Sequence, residues 1–411
     1  MSTKNVGIGY FTGRRNFKNL VRTYIRTWQE FGLIINHNIT LNLFITYDLK
    51  YRSTKLKDFK GFDDEVYNLS DSVSLIGISD IRRESRELVE NEILTKKEVD
   101  LIFGEGYAKR RNAVIYFAVK NKMDYLLFLD DDEYPLAPFL LDNKRLMWIG
   151  QNVLGSHIRN IEGADITHGY HCGYISPIPF IEFNEVLTEE DFKTFIEAIS
   201  NDIIKWDLIK ERFEKTKGVD YADTEIIVNP KAYEIEEKDG CKFISGSNLC
   251  INLKSIKNIA PFYNPPGARG EDTFLSTCLK DLVVKKIPTY TFHDGFLNYS
   301  SLLCGVLPRQ LKPVSTSNRI ITKRFLNACI GWVRYKPLLL YITQQDTYEK
   351  QIKDMRESLI KTIPKLCNFF SDERFNEILT ELDYYNKNVK KHYKSFQETK
   401  AAWSKLLSSI Q

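Results

Sequence analysis

The chain has 411 residues, enough for about two or three domains, and 43% of them are apolar and 27% charged. These fractions are those of an ordinary globular protein, which excludes disordered, collagen-like and membrane-spanning chains. Lysine and arginine total 58 against 54 acidic residues, and a net charge of +4 over this length is too small to predict a nucleic-acid partner.

The N-terminus and the cysteines indicate a compartment. The pair Arg14 and Arg15 comes before any apolar stretch long enough for a signal peptide, and no run of about 18 uncharged apolar residues occurs. The 7 cysteines are scattered without a C-x-x-C pair, which favours neither a disulfide framework nor a zinc ribbon. We therefore expect a cytoplasmic protein.

The first 130 residues alternate strands and helices. Apolar spacing predicts strands at 6–11, 41–47, 73–78 and 125–129. It predicts helices at 17–31, 85–103 and 107–122. This alternation indicates an α/β fold with a mostly parallel sheet flanked by helices. Ligands of such sheets bind beyond the carboxyl ends of the strands, so the residues that follow each strand are the functional candidates.

Beyond residue 135 the alternation fades. Loops are predicted through 150–235, together with one helix at 189–217. Strands return at 242–252 and 282–292, on either side of the turn-rich sequence NPPGARG. From about residue 317 the pattern is helical to the end. We expect an α/β unit over 1–300, with halves at 1–135 and 136–300, and a helical C-terminal region over 301–411.

Three adjacent carboxylates, Asp130, Asp131 and Asp132, directly follow the apolar strand YLLFL. They repel one another unless a cation is present, and their hard oxygen atoms suit Mg²⁺ or Mn²⁺. The alternation of an extended backbone predicts Asp130 and Asp132 on the same side. A solvated acidic turn is the alternative, but the apolar strand directly before the cluster favours a metal site.

The helix before this strand begins with a basic segment. Lys109, Arg110, Arg111 and Asn112 occupy its first turns, after Gly106. Cations near a helix N-terminus oppose the helix dipole, so local stability does not explain them. Recognition of an anion would explain them, and a solvated basic turn is the alternative for Lys109 and Arg110.

Several motifs occur in an order that resembles the GT-A fold glycosyltransferases, particularly the family 2-like group. The first half carries the opening strand VGIGYFTGRRN, the second strand LFITYDL, the Arg-Asn helix and the strand that ends in DDD. The second half carries SGSNLCIN, ARGEDTFLS and TFHDGF, which are similar to the family's acceptor-side strand, Glu-Asp motif and late histidine. The resemblance covers about residues 5–300. It implies that 1–135 binds a nucleotide and that 136–300 faces the acceptor.

The resemblance implies a transferase that moves a sugar from a nucleotide-diphosphate donor to a hydroxyl of a glycan, a lipid-linked acceptor or a small molecule. It implies Mn²⁺ or Mg²⁺, held by Asp132 and His293. The residues that it implies for the donor are Thr12, Asp48, Arg111, Asp130 and Asp131. Those that it implies for the acceptor floor are Gly246, Ser247 and Asn248.

Glu271 and Asp272 open a predicted helix, where the helix dipole favours ionised carboxylates, so a structural role is one interpretation. By resemblance to inverting members, Asp272 is the general base that deprotonates the acceptor hydroxyl, with Glu271 beside it in the catalytic pair. A retaining mechanism stays open, because some retaining GT-A enzymes have similar aspartate clusters and late histidines. A sugar-nucleotide pyrophosphorylase, an aspartate-nucleophile phosphatase and a non-catalytic sugar-binding relative are the other classes considered.

Two further segments leave alternatives open. His168 and His171, in a predicted loop, could line the acceptor pocket, pack structurally or bind zinc. The segment 319–343 mixes basic, aromatic and apolar residues and could contact an anionic membrane peripherally, pack on the catalytic unit or form a dimer contact. Pro337 is expected to interrupt a long helix there.

Aromatic residues expected to stack on an acceptor sugar are Tyr170, Tyr174, Phe180, Phe262 and Tyr263.

Overall fold

The computed structural model describes residues 3–33, 38–50, 54–142, 145–200 and 206–410. Within these ranges the strands are β1 (Lys4–Thr12), β2 (Ile39–Tyr47), β3 (Ser72–Ile76), β4 (Tyr125–Asp130), β5 (Glu133–Tyr134), β6 (Leu136–Leu141), β7 (Arg145–Gly150), β8 (Ile166–Gly173), β9 (Tyr233–Glu234), β10 (Leu249–Asn252) and β11 (Val284–His293).

Helices of the described ranges cover the sheet and form the C-terminal region. They are α1 (Phe17–Glu30), α2 (Asp64–Leu69), α3 (Ile78–Glu90), α4 (Lys96–Ile102), α5 (Tyr107–Lys120), α6 (Val153–Asn160), α7 (Glu189–Ile199), α8 (Trp206–Thr216), α9 (Thr224–Val228), α10 (Glu271–Ser276), α11 (Arg319–Thr343), α12 (Tyr348–Phe370), α13 (Glu377–Lys387) and α14 (Val389–Ile410).

One large sheet has the strand order β3-β2-β1-β4-β10-β8-β11-β5, with β9 paired to β11. The first four strands are mutually parallel, as the alternation of strands and helices predicted. Strand β10 then runs antiparallel to both β4 and β8, and β11 runs parallel to β8. The α/β prediction is confirmed, and the sheet is mixed in its second half. Strands β6 and β7 form a separate hairpin.

Helices pack on both faces of the sheet through regularly spaced apolar residues. In α1 the buried side chains include Leu20, Tyr24 and Trp28, the spacing that predicted this helix. A glycine lets α5 approach β1, because a Cβ atom at Gly9 would lie 2.8 Å from Cγ1 of Val114. Each large side chain buried in this way stabilises the fold by about 1.5–3 kcal/mol.

Two of the predicted helices are each divided. The helix expected at 85–103 is α3 and α4, because Glu92 adopts a left-handed conformation and Thr95 starts a new helix with a capping box to Glu98. The helix expected at 189–217 is α7 and α8, and residues 201–205 between them lie outside the described part of the chain. The strand expected at 242–252 forms only over Leu249–Asn252.

The segment expected to be a loop around His168 and His171 is strand β8. Its hydrogen bonds to β10 and β11 replace those that a loop would make to water. Because side chains alternate along a strand, two residues three positions apart face opposite sides of the sheet. The zinc alternative for these two histidines is therefore excluded, and they have separate environments.

The C-terminal helices share a core with the middle of the chain. Phe192 of α7 and Trp206 of α8 pack in the same cluster as Phe325 of α11. Helix α11 continues through Pro337, so the expected interruption is wrong, and most of its apolar residues are buried. None of the helices in the described ranges is long and apolar enough to span a bilayer.

Candidate functional site

The carboxyl ends of β1, β2 and β4 meet at one edge of the sheet. In the register Phe11 is opposite Asp130, and Thr12 is opposite Tyr47. The backbone N–H of Asp48 donates to the Thr12 carbonyl at 2.8 Å, and the Thr12 hydroxyl donates to Oδ2 of Asp131 at 2.8 Å. Thr12, Asp48 and the aspartate cluster, predicted from separate motifs, are thus neighbours.

The three aspartates divide into two groups. Strand β4 ends at Asp130, and a turn follows, so the alternation of the strand does not continue. Asp130 pairs with Arg111 at 3.1 Å. Asp131 and Asp132 instead share the guanidinium of Arg14, which lies 2.7 Å from Oδ1 of Asp131 and 2.6 Å from Oδ2 of Asp132. Asp130 and Asp132 were expected on the same side of the strand. In the structure, Asp131 and Asp132 instead share one arginine, and Asp130 has a different partner.

Arg111 joins the aspartate cluster to the Glu-Asp motif. Its guanidinium contacts Asp130, lies 3.4 Å from Oε1 of Glu271 and donates to the carbonyl of Gly246. The side chain is buried, with the residue only 5% exposed, and it stacks on the ring of Phe262 at 5.5 Å. Burial alone lowers the pKa of Arg111, but the surrounding carboxylates outweigh burial and raise it, so this cation is permanent.

Asp272 lies in the first turn of α10, after Gly270, which has φ +88°. Its Oδ2 accepts from the backbone N–H of Gly246 at 3.1 Å, and its Oδ1 accepts from that of Thr273 at 2.9 Å. Burial, followed by the charge of Glu271, raises the pKa of Asp272 to about 6, against the opposing effect of Arg111. A carboxylate with this pKa can accept a proton at neutral pH.

The predicted acceptor-floor residues have different surroundings. Gly246 lies beside Asp272, and a Cβ atom there would be 3.1 Å from Nη2 of Arg111. The Ser247 hydroxyl donates to Oε1 of Glu133 at 2.5 Å. Asn248 is 0% exposed and has φ +48°.

The amide of Asn248 is occupied by protein groups. It donates to the carbonyl of Tyr170 at 3.0 Å and lies 2.9 Å from Nε2 of His157. These bonds hold the 246–248 loop against β8, so Asn248 positions this loop.

His293 ends β11 and faces Asp132. Its Nδ1 lies 2.8 Å from the carbonyl of Tyr174, which only accepts, so Nδ1 carries the proton and Nε2 points at Oδ2 of Asp132, 3.4 Å away. Burial lowers the pKa of His293, but Asp132 outweighs burial and raises it to about 9. Burial also raises the pKa of Asp132, but His293 and then Arg14 outweigh it and lower that pKa. Without a metal, His293 is therefore protonated at neutral pH and forms an ion pair with Asp132, and a divalent cation bound here would take the place of the Nε2 proton.

This pair fits a divalent cation of the predicted kind. A carboxylate oxygen and an imidazole nitrogen with a fixed tautomer are suitable ligands for Mn²⁺, and Mg²⁺ commonly takes one or two protein ligands together with phosphate oxygens. Residues in the described ranges contain no group of three or more His, Cys, Asp or Glu arranged for a metal ion. The remaining ligands would have to come from a substrate and water.

Sequence reasoning missed a buried network beside the cluster. Glu133, 3% exposed, accepts from Ser247 and from the Thr291 hydroxyl at 2.8 Å. Nε2 of His171 lies 3.2 Å from both Glu133 and Ser247. His168 lies on the opposite face, with Nδ1 3.4 Å from the ammonium of Lys286. The acidic run DDDE was the only sequence signal for Glu133.

Two further arginines lie near the edge: Arg110, from the basic segment considered for anion recognition, and Arg324, which sequence reasoning missed. Arg110 is buried, and although burial lowers its pKa, Asp48 and Glu105 offset part of that effect. Arg324 comes from α11, and its guanidinium packs against Gly295 and over the ring of Phe296 at 4.8 Å. Nothing in the local sequence connects Arg324 with the His293 motif, because the contact depends on how the C-terminal region packs.

The expected sugar-stacking aromatic surface is largely core. Tyr174, Phe262 and Tyr263 are buried. Phe180 packs on Phe213, and Tyr170 stacks on Tyr290. The aromatic excess of the sequence is therefore explained mainly by packing.

No family model matches the chain, and no curated protein matches its sequence. Among solved structures, the chain is similar to mouse xyloside xylosyltransferase 1 in its apo form, with 11% identity, 62% of this chain and 69% of that chain covered, and a TM-score of 0.23. It is also similar to the Saccharomyces cerevisiae mannosyltransferase Ktr4p in complex with GDP, with 10% identity, 68% and 61% covered, and a TM-score of 0.24.

Proposed function

We propose that this protein is a metal-dependent glycosyltransferase that moves a sugar from a nucleotide-diphosphate donor to a hydroxyl acceptor. The observation that carries the proposal is the position of Arg111, which contacts both Asp130 at the aspartate cluster and Glu271 next to Asp272. One buried cation thus joins the proposed donor side to the proposed base. The order of motifs in the sequence, which resembles GT-A fold glycosyltransferases, supports the same activity.

The donor would lie across the carboxyl ends of β1, β2 and β4. Thr12, Asp48 and Asp131 lie at these ends. The basic side chains of Arg14, Arg15 and Arg324 lie around the cluster, where they can bind phosphate oxygens. A cavity of about 470 Å³ adjoins the cluster and is lined in part by Arg14, Asp131 and Asp294. Its position and its arginines suit an anionic ligand.

Asp132 and His293 would hold the divalent cation, which supplies positive charge for a departing nucleotide diphosphate. Every other contribution comes from the chain. Arg111 holds the carboxylates of Asp130 and Glu271 in place. The backbone N–H of Gly246 fixes one oxygen of Asp272.

Asp272 would remove the proton of the acceptor hydroxyl as the hydroxyl attacks the anomeric carbon. Direct attack from the side opposite the leaving group inverts the configuration, as in the inverting members that the sequence resembles. We favour inversion over retention because Glu133 is only 3% exposed, and this enclosed carboxylate is unsuitable as a nucleophile. Asp272, in contrast, is only partly enclosed.

A binding screen tests the proposed class. The purified chain is melted with UDP, GDP and a set of their sugar conjugates, each with and without Mn²⁺. A ligand that binds only the folded state raises the melting temperature by mass action. We expect an Mn²⁺-dependent increase with one nucleotide, and we expect Asp132→Ala to lose the part that depends on Mn²⁺. No shift with any nucleotide at millimolar concentration would exclude the proposal.

A further inference from the structure

The carboxylates of the proposed metal site already have a cation, the side chain of Arg14. Its Nε lies 2.7 Å from Oδ1 of Asp131, and one Nη lies 2.6 Å from Oδ2 of Asp132. Arg14 is only 15% exposed at its side chain, so these bonds are shielded from solvent. A largely buried arginine that bridges two carboxylates is a strong counterion.

One oxygen of Asp132 both accepts from Arg14 and faces His293. Oδ2 of Asp132 accepts from Arg14 and lies 3.4 Å from Nε2 of His293. An oxygen that ligates Mg²⁺ or Mn²⁺ lies about 2.1 Å from the ion. A guanidinium only 2.6 Å from that oxygen would lie close to the ion and repel it.

We propose that Arg14 competes with the divalent cation for Asp132 and leaves this carboxylate when a nucleotide diphosphate binds. This inference rests on the proposed function for the identity of the anion. Arg14 lies after Gly13 in the short loop between β1 and α1, and its side chain lines the cavity of about 470 Å³ next to Asp131. The cavity gives the guanidinium space to move away from Asp132 and to bind phosphate oxygens.

The competition has a thermodynamic consequence. Without a nucleotide, the single positive charge of Arg14 offsets part of the negative charge of Asp131 and Asp132, and Mn²⁺ binds weakly. A diphosphate offers Arg14 another partner, so it strengthens the binding of Mn²⁺, and Mn²⁺ must strengthen the binding of the diphosphate by the same factor. This competition prevents tight binding of the metal before the donor binds.

The experiment measures Mn²⁺ binding from the electron paramagnetic resonance signal of free Mn²⁺, with and without UDP and GDP in turn, after subtraction of the Mn²⁺ that each nucleotide binds in the absence of protein. We expect one nucleotide to tighten Mn²⁺ binding to the wild type by about tenfold or more. Arg14→Gln should bind Mn²⁺ alone about tenfold more tightly than the wild type and should lose the part of the coupling to the nucleotide that comes from Arg14. Arg26→Gln is the matched control, since it removes one charge from an ion pair with Glu65 far along α1, and it should behave as the wild type does.

Equal or weaker Mn²⁺ binding by folded Arg14→Gln in the absence of nucleotide would overturn the inference, because Arg14 would then order the carboxylates for the metal. Arg14→Lys provides a second test if Arg14→Gln does not fold. Lysine keeps the charge but cannot bridge both carboxylates with a planar fork, so Mn²⁺ alone should again bind more tightly than in the wild type. If the wild type binds no nucleotide, the proposed function fails, whereas the Mn²⁺ titrations still decide the competition.

Discussion

The guanidinium of Arg111 lies 3.1 Å from the carboxylate of Asp130, and this ion pair is the point at which helix α5 and strand β4 meet the loop around Gly246. A buried arginine needs acceptors, and the carboxylates of Asp130 and Glu271 need a cation. Each group therefore holds the others in position.

Replacement of Arg111 by methionine should destabilise the fold. It leaves the carboxylates of Asp130 and Glu271 without their shared cation, and Glu271 is buried. We expect the free energy of unfolding to fall by about 3 kcal/mol. This value is in the lower part of the range for a broken buried ion pair, because Asp130 is partly exposed. Urea unfolding measures it. Arg334→Met, which breaks the more exposed pair with Glu381, should cost about 1 kcal/mol or less.

The transfer rate should depend on pH through Asp272. Only the ionised carboxylate accepts a proton, and the pKa of Asp272 is raised to about 6. The rate should therefore be constant above this pH and decrease about tenfold per pH unit below it. A pH profile of kcat measured with saturating donor tests this. A profile that rises toward acidic pH would contradict the assignment of Asp272 as the base.

Asn248→Ala should affect stability more than catalysis. The substitution removes the amide bonds to Tyr170 and His157 and leaves buried polar groups without partners. We expect a loss of about 2 kcal/mol in the free energy of unfolding. Donor affinity, measured by calorimetry, should stay near that of the wild type. A large increase in acceptor KM with unchanged stability would support the original prediction that Asn248 contacts the acceptor.

Acid should destabilise the protein through His157. This buried histidine has a pKa lowered to about 4 by burial, against 6.5 for an ordinary histidine. The unfolded state binds the proton first, so stability decreases as the pH falls from about 6.5 to about 4, by about 3 kcal/mol in total. His157→Gln should remove this part of the pH dependence. An unchanged slope in that variant would contradict the account of His157.

Arg324 should contribute to donor binding from the C-terminal region. Its guanidinium lies against Gly295, two residues after His293. Arg324→Gln should weaken the binding of a nucleotide diphosphate by about tenfold, the effect of losing one charge-assisted hydrogen bond. Lys323→Gln, an exposed neighbour with the same change in charge, is the control. Equal affinities for both variants would remove Arg324 from the site.

Local sequence was sufficient for most elements of the N-terminal half of the fold. The apolar spacing of Leu20, Tyr24 and Trp28 and the continuous apolar run before Asp130 predicted α1 and β4, because these elements follow local rules of periodicity. The strand through His168 and His171 was missed, since its pairing with β10 and β11 comes from distant parts of the chain.

The site could be predicted only in part for the same reason. The motifs around Thr12, Asp132 and Asp272 are visible in the sequence and lie near the same edge of the sheet. The ion pairs of Arg14 are not visible, because they depend on the loop after β1 reaching residues 131 and 132. The position of Arg324 near Gly295 likewise depends on the packing of α11.

The most direct test of the central claim is the turnover of the sugar nucleotide chosen by the binding screen, measured for the wild type, Asp132→Ala and Asp272→Asn. The account predicts Mn²⁺-dependent release of nucleotide diphosphate by the wild type. It predicts a loss of about a hundredfold or more in kcat for each variant. Asp272→Asn should keep its affinity for the donor. Turnover at the wild-type rate by both folded variants would contradict the proposed glycosyltransferase site.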